Sequence, residues 1–316
     1  MSAMKPDLLS VEALRPQSME ELAQIFTVHS LPMDKSLWIE RAKPVADRVR
    51  FVQTTGFAGC PGELMTILPK LEIVSCMGVG VDAIDLAQAR KRGIAVTNTP
   101  DVLNDDVADL AIALLLMTAR HLALSDRYVR DGRWKKLGNQ PLATKVSGKR
   151  LGIVGMGRIG KVIARRAQAF DMSIDYHTRN KADVPFRHWP DLVAMARAVD
   201  FLIVIVPGGP ATKGLISAPV IEALGPKGIF VNVSRGSVVD EPALVDALVA
   251  GRIAGAGLDV FADEPNVPPA LLGLDNVVLS PHVGSGTQET RGAMADLVVN
   301  NLKAHLAGKP LLTRVV

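Results

Sequence analysis

Along this chain, short runs of consecutive apolar residues alternate with longer stretches in which apolar positions recur every three or four residues. VRFVQTT at 49–55, LEIVSCMG at 71–78, GIAVTNT at 93–99, FLIVIV at 201–206, IFVNV at 229–233 and NVVLS at 276–280 are of the first kind. DLLSVEA, FTVHSL, RLGIV, MSIDYHT and AGAGLDVF read the same way. The second kind predicts helices over Met19–Phe26, Pro61–Leu68, Arg158–Phe170, Trp189–Ala198 and Glu241–Ala250. Strands alternating with helices predict an α/β fold with parallel sheets, and a run as continuously apolar as FLIVIV predicts a sheet covered on both faces. A further helix opens at Asn104 or Asp105, residues able to cap it, and continues as one element through VADLAIALLLMTARHLALSDRYVRDG. It reads as the passage into a second domain, and a last helix, TQETRGAMADLVVNNLKAHLAG, is expected to return to the first.

Composition narrows the class. With 316 residues, 48% of them hydrophobic, the chain is long enough for two domains with separate cores. The two cysteines, Cys60 and Cys76, have neither metal-ligand nor disulfide-framework spacing, so reduced, buried thiols in a cytoplasmic protein are expected. The opening MSAMKPDLLS lacks the basic and apolar regions of a leader, and LAIALLLMTA at 110–119 is too short for a membrane span, which makes it a buried helix. The net charge of +4 conceals a basic stretch: 16 Lys or Arg stand against five Asp between Arg120 and Arg187. That stretch lacks interleaved aromatics and any nucleic-acid module, so a small anionic partner is expected rather than nucleic acid.

The same stretch holds the most informative motif. The strand RLGIV runs into Gly155-Met156-Gly157-Arg158-Ile159-Gly160, and the third glycine already lies within a helical pattern. In that context the glycines give a tight turn, close backbone approach to a pyrophosphate and close helix packing, with the helix N-terminus facing the anion. The motif therefore predicts a dinucleotide site. The next strand usually ends in a carboxylate that holds a ribose hydroxyl, but here it ends in Thr178-Arg179-Asn180-Lys181. A hydroxyl, a bidentate guanidinium and an ammonium suit a 2′-phosphate, so NADP(H) is expected over NAD(H), with NAD(H) still possible.

Three further residues follow strand ends. Arg235 follows IFVNVS, Glu264 lies in the turn after GLDVF, and His282 follows VVLSP, all on the edge where parallel sheets bind ligands. His282 and Glu264 lack the spacing of a zinc site, and no metal cluster is expected.

At this point a resemblance is plain. GVGVDAIDL, VTNTPDVLNDDVADLA, GRW, GMGRIG, VNVSRGSVVDE, GLDVF, DEP and SPHVGSGT resemble, in order and spacing, the D-isomer-specific 2-hydroxyacid dehydrogenase family, most closely its glyoxylate/hydroxypyruvate reductase branch. The match covers essentially the whole chain. It implies two Rossmann-like parallel-sheet domains, an NADP-binding domain at 99–285 inserted into a smaller flavodoxin-like substrate domain at 1–98 and 286–316, with closure of the cleft between them excluding water. It implies Arg235, Glu264 and His282 as catalytic residues, Met77, Gly78, Val79 and Gly80 as the loop for the substrate's carboxylate, and Asp259 near the nicotinamide carboxamide. Val206, Pro207, Thr212, Val233, Ser234, Gly284 and Ser285 are expected to complete the cofactor surface with Arg235, Asp259 and His282.

The implied reaction is NADPH-dependent reduction of glyoxylate, hydroxypyruvate or a similar small 2-keto acid, with Arg235 and His282 touching the substrate. The segment around RDGRWKKLGNQP resembles the arm by which family members form homodimers, and Trp134 in it is placed either at the partner's substrate site or in simple interface packing. The alternatives are an NAD-dependent enzyme of phosphoglycerate, D-lactate or formate type, or a dinucleotide-sensing corepressor-like protein on the same fold. A chain ending at Val316 is expected to lack the extra regulatory domain that many phosphoglycerate enzymes carry, but shorter ones exist.

Overall fold

The computed structural model describes residues 5–316, so the first four residues of the leader reading lie outside the described part. It divides into two compact units: the residues up to Leu103 together with Thr287–Val316, and Asn104–Gly286. The expected boundaries lay at 98/99 and 285/286. Residues 99–103 go with the first unit because Thr99 returns to its sheet, its N–H donating to Gly78 O at 2.9 Å and its hydroxyl accepting from Gly78 N at 2.9 Å.

The first unit carries five strands: β1 (Asp7–Ser10), β2 (Thr27–Ser30), β3 (Val49–Thr55), β4 (Ile73–Met77) and β5 (Ala95–Thr97). They pair parallel in the order β2-β1-β3-β4-β5, the flavodoxin-like arrangement. Consecutive residues of a strand point to opposite faces, and the register exploits this. Leu8, Phe51, Ile73 and Ala95 line one face, where Ala295, Val298 and Leu302 of the helix Gln288–Leu306 cover them. Leu9, Val52, Val74 and Val96 line the other face against Trp38, Leu64 and Met65. Each fully buried Leu, Ile or Phe here contributes about 1.5–3 kcal/mol. Cys60 and Cys76 are free and buried in this core, and burial pushes the Cys60 thiol up to about 12, leaving it inert at neutral pH.

The second unit carries β6 (Arg150–Val154), β7 (Ser173–His177), β8 (Arg187–His188), β9 (Phe201–Val204), β10 (Ile229–Asn232), β11 (Gly255–Leu258) and β12 (Val277–Leu279). All are parallel, in the order β12-β11-β10-β9-β6-β7-β8. The order reverses between β6 and β9, and in such a sheet that switch point is where a ligand is bound. The AGAG run explains how a helix can lie directly on β11. A Cβ on Gly257 would stand 2.8 Å from Leu114 Cβ, and one on Gly255 2.9 Å from Thr118 Cγ2, so both positions must be glycine for the helix Asn104–Ala119 to pack there.

The long helix departs from its expected form. It stops at Ala119, a second helix runs over Leu122–Arg130 at 60° to it, and a third covers Arg133–Leu137. The break is local: His121 takes φ +53°, and Thr144 N–H caps Ala119 O at 2.9 Å. Among the described residues no single helix is long and apolar enough to cross a membrane; the bent pair passes by length and composition only, and Val107, Ala111, Leu114 and Leu115 of its first helix are buried in the core.

Candidate active site

The glycine turn between β6 and the helix Arg158–Gln168 shows why each glycine is needed. Gly155 adopts φ +107°, and a Cβ there would stand 2.2 Å from Ile205 O. A Cβ on Gly160 would lie 2.0 Å from Gly155 O, so the helix can sit this close to the strand only with glycine. Gly157, the N-cap, faces open space, with nothing within 4 Å of where a Cβ would be. The positive end of the helix dipole, with no side chain in the way, suits a pyrophosphate. These residues fit a dinucleotide.

After β7 the chain turns sharply, and Thr178 organises the turn. Its hydroxyl donates to Asn180 O at 2.6 Å, and its carbonyl accepts from His188 Nε2 at 2.9 Å. Arg179 and Lys181 are exposed, and among the described residues Arg179 makes no hydrogen bond or ion pair. After β9, Val206 and Pro207 lead into a loop closed by Thr212, whose hydroxyl donates to Pro207 O at 2.6 Å.

The loops after β10, β11 and β12 form one braced assembly. Asn232 is buried, and its Oδ1 accepts from Ser234 N at 3.0 Å and Ser234 Oγ at 2.9 Å while its Nδ2 donates to Arg235 O at 3.1 Å. This fixes the turn that carries Val233, Ser234 and Arg235, and the half-buried guanidinium donates from Nη1 to Ser234 O at 2.7 Å. Gly236 lies so close to the Phe261–Ala262 backbone that a Cβ would fall 1.9 Å from Phe261 C. The Arg-Gly pair thus lets the arginine loop touch the loop bearing Glu264.

Glu264 Oε1 accepts from Phe261 N at 3.1 Å, and Oε2 meets His282 Nδ1 at 2.7 Å. Burial pushes the Glu264 carboxyl up, but the hydrogen bond and charge of His282, the Phe261 N–H and the charge of Arg235 together outweigh it and hold the group below the usual value. A carboxylate only accepts, so Nδ1 carries the hydrogen in this pair and Nε2 is the ring nitrogen left over. The imidazole is 37% exposed against 16% for its carboxylate, a buried orienter behind an accessible ring.

His282 sits at φ +53°, a left-handed conformation that costs a non-glycine residue about 1–2 kcal/mol. Asp259, 2% exposed, holds it there: its carbonyl accepts from His282 N at 2.8 Å, and its carboxylate accepts from Val283 N at 2.8 Å, Gly284 N at 2.9 Å and the Ser280 hydroxyl. Asn232 and Ser280 are supporting residues that motif reading passed over. The signal for Asn232 was its place at the last position of an apolar strand, where a buried amide must be spent on something.

In the first unit, Met77 ends β4 and Gly78 takes φ +152° beside Gly56, whose N lies 3.3 Å from where a Gly78 Cβ would be. The loop is tied by Asn98 Nδ2 donating to Val79 O at 2.9 Å. Among the described residues, the backbone N–H groups of Val79 and Gly80 donate to no protein acceptor. Trp134 is 59% exposed and shares its surface segment with Val129, Leu137 and Leu142, all exposed.

Comparison with known proteins now identifies the class. Residues 112–284 match the family model described as D-isomer specific 2-hydroxyacid dehydrogenase, NAD binding domain. Over 272 residues the chain is 55% identical to a hydroxyphenylpyruvate reductase of Plectranthus scutellarioides, covering 86% of this chain and 87% of the relative. It is 51% identical over 284 residues to a glyoxylate/hydroxypyruvate reductase A of Arabidopsis thaliana, covering 90% of each. Among solved structures, an NADPH-dependent glyoxylate/hydroxypyruvate reductase from Sinorhizobium meliloti in complex with NADP and malonate superposes with a TM-score of 0.93 at 47% identity, over 99% of this chain and 97% of that one. The chain belongs to the D-isomer-specific 2-hydroxyacid dehydrogenase family. It is an NAD(P)-dependent oxidoreductase that acts on the CH–OH group of 2-hydroxy acids.

Proposed function

We propose that the protein reduces small 2-keto acids, glyoxylate and hydroxypyruvate among them, to D-2-hydroxy acids with NADPH. The observation that carries this reading is the His282–Glu264 pair at 2.7 Å, standing with Arg235 on the sheet edge that also bears the glycine turn. Names of relatives agree: two are glyoxylate/hydroxypyruvate reductases and a third takes hydroxyphenylpyruvate.

Gly155, Gly157 and Gly160 would hold the pyrophosphate, and Thr178, Arg179 and Lys181 the 2′-phosphate. When bound, the nicotinamide supplies the hydride. The rest falls to this chain's side chains. Arg235 binds the substrate's carboxylate and carbonyl oxygen, and its charge draws electron density toward that oxygen. The spare N–H groups of Val79 and Gly80 take the carboxylate as well. As the oxygen gains negative charge, His282 Nε2 gives it a proton, and Glu264 steadies the imidazolium before that transfer. Asp259 keeps the ring where this can happen. The same reading makes the protein a homodimer through the exposed segment containing Trp134, Leu137 and Leu142, which sedimentation would show as twice the 33.7 kDa chain mass.

The test is nicotinamide absorbance with NADPH or NADH against hydroxypyruvate or glyoxylate. An NADPH preference of tenfold or more in kcat/KM, worth about 1.4 kcal/mol, is expected. Equal use of NADH removes Arg179 from cofactor choice, and no turnover of either keto acid with either cofactor overturns the reading.

A further inference from the structure

The two backbone N–H groups proposed to take the substrate's carboxylate belong to peptide units that are gripped at their other ends. The peptide bonds of this loop are trans, and in a trans unit the N–H points opposite to the C=O. Holding a carbonyl therefore fixes the direction of the N–H across from it. Val79 O accepts from Asn98 Nδ2 at 2.9 Å, which aims the Gly80 N–H. Gly78 O accepts from Thr99 N at 2.9 Å, which aims the Val79 N–H, and Gly78 N donates to Thr99 Oγ1 at 2.9 Å. The Cys76 thiol adds a weaker tie, donating to Gly80 O at 3.9 Å. Both donors are thus set by two consecutive residues that follow β5, Asn98 and Thr99.

Asn98 is held in turn from the segment 312–316. Thr97 and Arg314 form an antiparallel bridge, and Val315 N donates to Val96 O at 2.7 Å. Thr313 clamps the Asn98 backbone on both sides: its carbonyl accepts from Asn98 N at 3.3 Å, and its hydroxyl donates to Asn98 O at 2.6 Å. Thr313 itself is fixed by Asn301, which is fully buried in the helix Gln288–Leu306. Asn301 Nδ2 donates to Thr313 Oγ1 and to Leu297 O, each at 2.9 Å, and its Oδ1 accepts from Leu312 N at 3.0 Å. A buried amide with partners at both ends resists displacement, so hydrogen bonds run without a gap from this helix through Thr313 and Asn98 to Val79.

We propose that Asn98 is a positioning residue for keto-acid binding, aiming the Gly80 N–H at the substrate's carboxylate, and that Thr313 positions Asn98 in turn. This rests on the reading that Val79 and Gly80 take that carboxylate. A donor aimed before the ligand arrives needs no ordering on binding, whereas a peptide unit free to rotate must be ordered at the ligand's expense. Loss of the Asn98 amide therefore weakens every 2-keto acid by a similar factor, since all of them carry the carboxylate. Binding of the dinucleotide, assigned to the glycine turn, is left alone.

The experiment compares wild type, Asn98→Ala, Asn98→Asp, Thr313→Val and Thr313→Ser with glyoxylate and hydroxypyruvate under saturating NADPH. Tm and the dissociation constant of NADPH, read by fluorescence, are recorded for each. Asn98→Ala is expected to raise KM for both keto acids about tenfold, with kcat changed less than about threefold and NADPH binding less than about twofold. Asn98→Asp keeps the shape but offers no donor, and should raise KM at least as far. Thr313→Val should raise KM about threefold, and Thr313→Ser, which keeps the hydroxyl, should restore it. If Asn98→Ala does not fold, Asn98→Asp and the Thr313 pair decide the matter. Asn98 variants with a lowered Tm but KM within about twofold of wild type would overturn the proposal, because a merely structural role lowers the active fraction and leaves KM alone. A rise in KM for one keto acid only, or an equal loss of NADPH binding, would overturn it as well. Each of these results leaves the proposed function standing, whereas a wild type that turns over neither keto acid with either cofactor overturns the proposed function and this positioning role with it.

Discussion

Two loop regions on the same edge of the larger sheet are built in opposite ways. The loops after β10, β11 and β12 are tied by buried Asn232 and Asp259, which between them engage Ser234, Arg235, Ser280, Val283 and Gly284, and they force His282 into a left-handed conformation. The loop after β7 is held by Thr178 and His188, and its two cations project into solvent. The difference fits the tasks assigned to them. Moving a proton demands a donor fixed to within a fraction of an ångström, whereas gripping a dianionic phosphate needs charge within reach and tolerates motion.

That contrast can be broken by substitution. The largest effect is expected from His282→Ala, with kcat reduced by about 10²–10⁴ while the dissociation constant of the cofactor, read by fluorescence titration, moves little. A comparable loss of cofactor binding would mean that His282 holds the dinucleotide rather than the proton. Next comes Gly160→Ala. Its Cβ would meet Gly155 O at 2.0 Å, so the turn must shift at a cost of about 1–3 kcal/mol, seen as a lowered Tm and weaker binding of NADPH and NADH alike. Arg179→Ala should lose about 10- to 100-fold in kcat/KM for NADPH with NADH unchanged, the value of one or two charge-assisted hydrogen bonds. A parallel loss for NADH would place Arg179 outside phosphate recognition.

The smallest effect sharpens the picture of the pair. Glu264→Gln keeps the shape but removes the anion that accepts from His282 Nδ1, so kcat should fall while activity persists and cofactor binding is unchanged. An unchanged kcat would take Glu264 out of the mechanism. Stability follows with its own sign. The carboxyl is held below its usual value of 4.5, so the pair's contribution is present above that value and is lost as pH falls through the lowered one. Tm of the wild type should exceed that of Glu264→Gln at neutral pH, and the gap should close toward pH values well below 4.5.

How much of this was legible beforehand depended on the length of each signal. Continuous apolar strands such as FLIVIV and the glycine turn were read directly, because buried parallel strands and a pyrophosphate turn each demand residue types that little else explains. The helices Leu86–Arg92 and Ala218–Leu224 were passed over, although Leu192–Ala198, of the same length, was read. Their ends were nonetheless marked: Asp85 caps the first and Gly93 closes it, and Pro219 and Gly225 bracket the second. The break at His121 had no such mark. The hydrogen bond from Thr144 N to Ala119 O that closes the helix end comes from a residue distant in sequence, which no local pattern reveals.

In the site, Arg235, Glu264 and His282 were singled out by position at strand ends, and the structure puts Glu264 against His282 and within the field of Arg235. What could not be read was the bracing by Asn232, Asp259 and Ser280, because a residue's use as a strut is fixed by neighbours far along the chain.

The unsupported cations after β7 carry one more consequence. Attraction between exposed charges is screened over about 8 Å at physiological ionic strength and about 3 Å at 1 M, while a bond inside a half-buried pair is screened much less. If Arg179 and Lys181 grip the 2′-phosphate as proposed, discrimination between the two dinucleotides is a joint property of the protein and its medium. Added salt should then erode the proposed NADPH advantage while the His282–Glu264 pair keeps its geometry, so that ionic strength would work as a dial on which reducing pool the enzyme draws from.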